Sequence, residues 1–369
     1  MSSASSLRAK AFGTETPGAA APSPARPAKP AAKGGAANKT GAAEAADAGA
    51  AGRPVAFRQR LRDWWHGIDA EDEAPPPPPR PAAVAVQAEA PAEPSADQVP
   101  DSAAWSEVRV KAAEIVLGDD CRTPIGPDKA VETLKPLGLT SAKAVLDISA
   151  GLGNAARQIA ATYGPWVSGL ESSACLAAQG MARSVEAGVA KKVPIAHVDL
   201  ENMQKPEKTF DCVYGREPFY TVKNKQALLE TLVEALKPGG ELVFTDYMLR
   251  AADFKSAPLA EWMAGEPLTP HPWTLEEQLT VLRELRLDAR VTEDFTKQFR
   301  DLIVRRLEQL VTKNELVVTD PAQAEQLLHE VELWGRRVKA LDSGDLQVYR
   351  IYARKTGNAD GKIRAMSNW

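Results

Sequence analysis

Beyond about residue 105, the chain's apolar and polar positions follow two rhythms. In WSEVRVKAAEIVLG the apolar residues recur at helical spacing, and the run stops at Gly118. Pro127 to Leu137 keeps the helical rhythm and closes at Gly138. From Ala144 onward, short apolar runs take turns with helical ones. Strands are expected at Ala144 to Ile148, Trp166 to Leu170, Pro194 to Val198, Phe210 to Tyr214 and Glu241 to Thr245. Helices are expected at Asn154 to Tyr163, Ser173 to Ala187 and Lys225 to Leu236, with a turn at Pro238-Gly239-Gly240. This alternation demands an α/β fold with a doubly wound, mostly parallel sheet. Val291 to Phe295 and Leu346 to Ala353 add two late strands. Between the fifth strand and these, Ala257 to Trp273 reads as loop, while Gln298 to Leu310 and Pro321 to Leu341 read as helices. Together they form a helical lid insert, placed where such sheets put substrate contacts.

The first hundred residues show neither rhythm. Ala, Pro, Gly and Ser dominate them, with an unbroken proline run from Pro75 to Pro79. Such a segment cannot bury enough apolar surface to offset its chain entropy. The expected organisation is a disordered tail over 1–100, a folded domain over 101–356 and a short tail over 357–369. The first forty residues are basic, as in an organelle transit peptide, but their Ala/Pro bias suits a solvated tail better. One island, FRQRLRDWWHGI at 57–68, sets Phe57, Leu61, Trp64, Trp65 and Ile68 at helical spacing. Two readings stand for it: a recognition helix for a protein or an anionic membrane surface, or a helix that docks on its own domain.

Composition narrows the function classes. A formal net charge of −4 over 369 residues gives no nucleic-acid footprint. No apolar run is long enough to span a bilayer, and the N-terminus lacks a signal-peptide core. Three scattered cysteines and four scattered histidines show no metal-ligand spacing and fit the cytoplasm.

The stretch AVLDISAGLGNAARQIAATYGPWVSGLE concentrates the chemistry. It reads as strand, glycine loop, helix and second strand, with an acid at that strand's end. Gly151 and Gly153 allow a tight turn and close approach to a ligand, and the helix aims its N-terminal amides at the same place. Glu171 stands at roughly the ~20-residue spacing at which an acid meets a ribose diol. Asp199 is placed to accept from an exocyclic amine. The plain alternative is an ordinary strand–helix turn. A dinucleotide is disfavoured because Asp147 would repel a pyrophosphate, by ~1 kcal/mol or more for unit charges ~4 Å apart even in water.

DISAGLG, GLE, the VDL at Val198 to Leu200 and LKPGGELVFTDY together resemble the class I S-adenosylmethionine-dependent methyltransferases, with their Rossmann-like fold. Ser149 replaces the first glycine of their usual loop. The resemblance implies S-adenosylmethionine as cofactor, held by Asp147, Ser149, Gly151, Gly153, Glu171, Asp199, Leu200 and Arg216, and a small-molecule methyl acceptor. VKAAEIVLGDD, YGRE, FTDY, TEDFTKQF and WGRRVKALDSGDLQVYRIYARK narrow the likeness to phosphoethanolamine N-methyltransferases and their phosphobase relatives. That implies N-methylation of a small amine, with Glu217 facing its ammonium and Tyr247, Arg337 and Lys339 facing its phosphate. The chain departs from this pattern. Trp105 stands where the family has a catalytic tyrosine, EPFYT replaces its histidine, and an arginine and a second tyrosine expected around Ala264 to Leu268 are absent, with Trp262 nearby. Tyr220 and His271 are the candidate proton acceptors; packing over the cofactor and a solvated loop are their plain alternatives. Trp262 and Trp273 read either as lid packing or as an aromatic surface for a cation. Arg336, Arg337 and Lys339 read alternatively as a solvated helix face, and His197 as core. A cofactor-binding but inactive interaction protein, tethered through its tail, is the alternative function.

Overall fold

A computed structural model describes residues 104–253, 255–312 and 320–356. The tails expected at 1–100 and 357–369, and the island at 57–68, lie outside the described residues.

The sheet begins with β1 (Ala144–Asp147), β2 (Trp166–Glu171), β3 (Ile195–His197) and β4 (Phe210–Arg216). It continues with β5 (Leu236–Leu249), β6 (Leu287–Asp294) and β7 (Leu346–Lys355). Its order is β3-β2-β1-β4-β5-β7-β6. β1 to β5 pair in parallel, and β7 runs antiparallel to both of its neighbours. The order reverses between β1 and β4, so a crevice opens above their carboxyl ends.

Strand alternation sorts side chains onto two faces. Val145, Val167, Cys212, Tyr214 and Val243 pack with α2 (Pro127–Leu134) and α3 (Asn154–Tyr163). Leu146, Val213, Leu242 and Phe244 pack with α5 (Lys225–Ala235) and, through Leu282, with α7 (Leu275–Glu284). Because β1 and β4 are buried on both faces, they carry largely apolar side chains.

A third core forms the lid. α1 (Glu107–Leu117), α6 (Ala257–Gly265), α8 (Thr296–Thr312) and α9 (Pro321–Asp342) pool Val116, Trp262, Phe299, Ile303 and Trp334 with Tyr247 of β5 and Val348 of β7. The remaining helix, α4 (Ala174–Glu186), starts beside Glu171 with Ser173 as its N-cap.

Two departures from the sequence reading stand out. Residues 257–265, expected as loop, are helix. Ser256 caps α6 by accepting from Leu259 N at 3.3 Å, and the prolines that looked like breakers include one in the first turn, where proline is tolerated. α7 was not anticipated, although Thr274 and Glu277 form a full capping box at its start. The Pro238-Gly239-Gly240 turn falls inside β5, at a register shift against β4. Among the described residues, no helix is long and apolar enough to cross a membrane, and no group of three or more His, Cys, Asp or Glu could hold a metal ion.

Candidate active site

The crevice is built on the loop from Asp147 to Gly153. Asp147, fully buried, accepts from Ser149 N at 3.1 Å, and Arg216 Nη2 lies 3.9 Å from its other oxygen. Burial pushes the Asp147 carboxyl up, and Arg216 only partly restrains it. Ser149 is more than a replaced glycine: its hydroxyl accepts from Arg216 N at 2.6 Å and ties the loop to β4. Gly151 and Gly153 have φ of +56° and +82°, in the left-handed region that favours glycine. A Cβ on Gly153 would displace the side-chain ends of Ile195 and Arg157.

Glu171 closes the loop from β2. Its Oε2 accepts from Gly151 N at 2.7 Å, and its Oε1 from Ser173 N at 3.0 Å and Ser172 Oγ at 3.2 Å. Arg122, from the segment between α1 and α2, lies across the mouth. Its Nε is 3.7 Å from Glu171, and its Nη2 donates to Ser149 O and Arg216 O at 3.3 and 3.1 Å.

Opposite the loop, the crevice is walled by Trp105, Arg109, Glu217, Tyr220, Glu330 and Arg337. Glu217 follows β4 with φ +51°, an uncommon conformation for a residue with a Cβ and one that recurs at functional sites. Its Oε1 is buried and accepts no hydrogen bond. Burial raises the Glu217 carboxyl, against the pull of Arg122, a hydrogen bond from Thr123, Arg216 and Arg337. Arg337, on α9, grips Glu266 with Nε and Nη2, each at 2.7 Å, and Nη2 also donates to the Tyr220 hydroxyl at 3.3 Å. Burial raises the Tyr220 phenol and Glu266 adds to it, so this hydroxyl stays protonated at neutral pH.

The predicted residues divide on inspection. Ser149, Glu171, Leu200, Trp105, Glu217, Tyr220 and Arg337 line one crevice, with Asp147, Gly151, Gly153 and Arg216 directly behind it. Asp199 is exposed and accepts from Glu201 N and Asn202 Nδ2, at 2.9 and 2.7 Å, one bond to each oxygen. Lys339 is exposed on α9, outside the crevice wall. Tyr247 and Trp262 are buried behind Tyr220, with ring centroids 5.0 and 6.3 Å from it. Trp262 is therefore packing, as is Trp273, which lies against Lys225. His271 is outside the wall too; its backbone N donates to Tyr220 O at 2.6 Å. His197, expected as core, is exposed because β3 is the sheet edge. Arg122, Arg109, Glu330 and Glu266 were not anticipated, and no local pattern marks them. They meet through the fold: Arg109 and Glu330, a buried ion pair, come from α1 and α9.

A methyltransferase-domain family model matches residues 145–240, from β1 into β5. The chain is 25% identical over 207 residues to phosphoethanolamine N-methyltransferase 1 of Arabidopsis thaliana, covering 56% of this chain and 41% of that protein. It thus spans less than half the length of that curated relative. Among solved structures, phosphoethanolamine N-methyltransferase 2 of Haemonchus contortus with S-adenosyl-L-methionine aligns with a TM-score of 0.60 at 22% identity, over 67% of this chain and 56% of that one. The [4+2]-cyclase SpnF aligns with a TM-score of 0.53 at 18% identity, over 68% and 94%. At these identities the structures speak for the fold, and a cyclase on the same fold shows that fold alone does not fix the reaction. Strand order, matched domain and sequence relatives together identify the chain as carrying a class I methyltransferase domain, similar to that of the phosphoethanolamine N-methyltransferases.

Proposed function

We propose that the protein transfers a methyl group from S-adenosylmethionine to the nitrogen of a small amine. The carrying observation is the opposition, across one crevice, of the glycine loop closed by Glu171 and the buried, partly unpartnered carboxylate of Glu217. The cofactor fits the loop side. Asp147 Oδ2 is a buried acceptor without a hydrogen bond, suited to a cationic amino-acid end, and Glu171 is a buried acceptor suited to a ribose. Arg122 lies close over the loop, where a Cβ on Gly151 would come 2.9 Å from Arg122 Cδ. When bound, S-adenosylmethionine supplies a methyl group on a sulfonium, open to in-line displacement.

The chain's own residues supply position and proton handling. Glu217 holds the acceptor's ammonium by charge. Its raised carboxyl is the proton acceptor in the wall, and proton removal frees the nitrogen lone pair for attack. Tyr220, protonated, accepts from Arg337 and donates to Glu266 Oε2 at 3.4 Å, so it is held in place rather than poised as a base. Holding nitrogen and methyl carbon in line can supply effective molarities of roughly 10⁵–10⁸ M, so a dedicated histidine is dispensable. Lys339 and His271 have no place in this reading.

Free Cys121, Cys175 and Cys212 support a cytoplasmic setting. The 57–68 island, outside the described residues, is proposed to bind a protein or an anionic membrane surface. Calorimetry of the full-length protein with S-adenosylhomocysteine, followed by a methyl-donor turnover screen over small amines, tests the proposal. Absence of cofactor binding sinks it. Cofactor binding with no acceptor in a cell extract would leave the inactive interaction protein.

A further inference from the structure

Three arginines line the crevice, and each is matched by a carboxylate of the same chain. Arg109 pairs with Glu330, Arg122 lies 3.7 Å from Glu171, and Arg337 takes both oxygens of Glu266 at 2.7 Å. The last pair matters most, because Arg337 is the cation assigned above to an acceptor phosphate. Its Nε and Nη2 form one fork that would clasp a phosphate, and both bond Glu266. The Arg337 and Glu266 side chains are only 8% and 0% exposed, so water screens the pair little. The guanidinium is further clamped 4.2 Å over the Trp334 ring, which fixes its plane towards Glu266. Glu266 itself lies just past α6, inside Ala264 to Leu268, where the family resemblance leads one to expect an arginine. The local charge is thus reversed. A phosphate seated here would lie against a buried carboxylate and would have to break its fork.

Glu217 is the exception in this balance. It makes no salt bridge among the described residues, and its Oε1 accepts nothing. The charge the wall leaves over is negative.

We infer that Glu266 is the built-in anion of the acceptor site, and that the crevice takes a small ammonium compound carrying no phosphate. The inference rests on the methyl-transfer reading for the identity of the ligand as an acceptor. Arg337 then acts as a structural clasp between α6 and α9, with Tyr220 held beside it.

The test uses full-length protein, wild type and the variants Glu266→Gln and Glu266→Ala, titrated with ethanolamine, phosphoethanolamine and inorganic phosphate without cofactor. Thermal melts report folding. The wild type is expected to gain nothing from the phosphate, binding phosphoethanolamine no more tightly than ethanolamine. Glu266→Gln, with Arg337 released, is expected to bind phosphoethanolamine at least tenfold more tightly than wild type does, and adding Arg337→Met should erase that gain. Tighter wild-type binding of phosphoethanolamine than of ethanolamine overturns the inference, as does a folded Glu266→Gln with no gain. If both variants unfold, the wild-type comparison decides alone. Titration of the same wild-type sample with S-adenosylhomocysteine reports separately on the methyl-transfer reading, so failure there cannot be mistaken for failure of the charge reversal.

Discussion

Replacing Glu171 with alanine tests the loop and the cofactor assignment together, and the structure allows the two effects to be separated. An ionised carboxylate offers about four lone-pair positions. Three are taken, by Gly151 N, Ser173 N and Ser172 Oγ at 2.7, 3.0 and 3.2 Å. Only one remains for a ribose hydroxyl unless Ser172 yields. A hydrogen bond to a charged group nets ~1.5–3 kcal/mol, so cofactor affinity should fall by that amount, about 10- to 150-fold. The same substitution orphans Gly151 N and Ser173 N at buried residues. Water can enter the space left by the side chain, so stability should fall by about 2–4 kcal/mol rather than the full sum. Ser172→Ala separates the terms. Ser172 is exposed, so its loss should change stability by no more than ~0.5 kcal/mol, and it frees a second lone pair for the ribose. Affinity should then hold or rise. Titration with S-adenosylhomocysteine alongside urea unfolding reads both quantities for each variant. A folded Glu171→Ala with wild-type affinity would refute the ribose assignment. Weakened binding in Ser172→Ala would refute the lone-pair count.

Glu217→Gln should lower kcat/KM for the amine about 10- to 100-fold, the loss of one charged contact, while S-adenosylhomocysteine affinity stays put; equal losses in both would place Glu217 in the cofactor site. Arg216→Met leaves Asp147 buried without its cation, which should cost about 3–5 kcal/mol at pH 7. The cost should shrink as pH falls, because burial raises the Asp147 carboxyl and loss of Arg216 removes the cation that restrains it; a pH-independent loss in urea melts would contradict the pairing. Asp246, fully buried behind Phe219 N and Tyr247 N, has its carboxyl pushed up to about 7 by burial. Between its ordinary value and that point the folded state binds the extra proton, so stability declines as pH rises through the window and levels off above it. Asp246→Asn should flatten that decline in unfolding curves at pH 5 and 8; an unchanged slope would assign the decline to other groups.

The parts of the site that lie along one stretch of chain were legible in the sequence, and the parts assembled from distant stretches were not. Asp147, Gly151, Gly153 and Glu171 sit on neighbouring strands joined by a single helix, so strand period and glycine chemistry carry them together. Asp199 is less constrained: β3 is short and at the edge, so its end is solvated, and Glu201 N and Asn202 Nδ2 each take one bond to the carboxylate. The lid is a harder case. Helical period located α8 and α9, but which carboxylate meets which arginine depends on the packing of α1, α6 and α9 about Trp262 and Trp334. The sequence pattern offered Arg337 as a free cation on a helix face. Packing converts it into half of a buried pair, because an arginine this deep needs its charge and donors compensated. That requirement also makes the charge reversal at Glu266 self-consistent. Once the stretch after α6 presents an acid there, Arg337 no longer needs an anionic ligand to be buried. Glu217, which no neighbouring cation neutralises by contact, becomes the group whose burial calls for a cationic one.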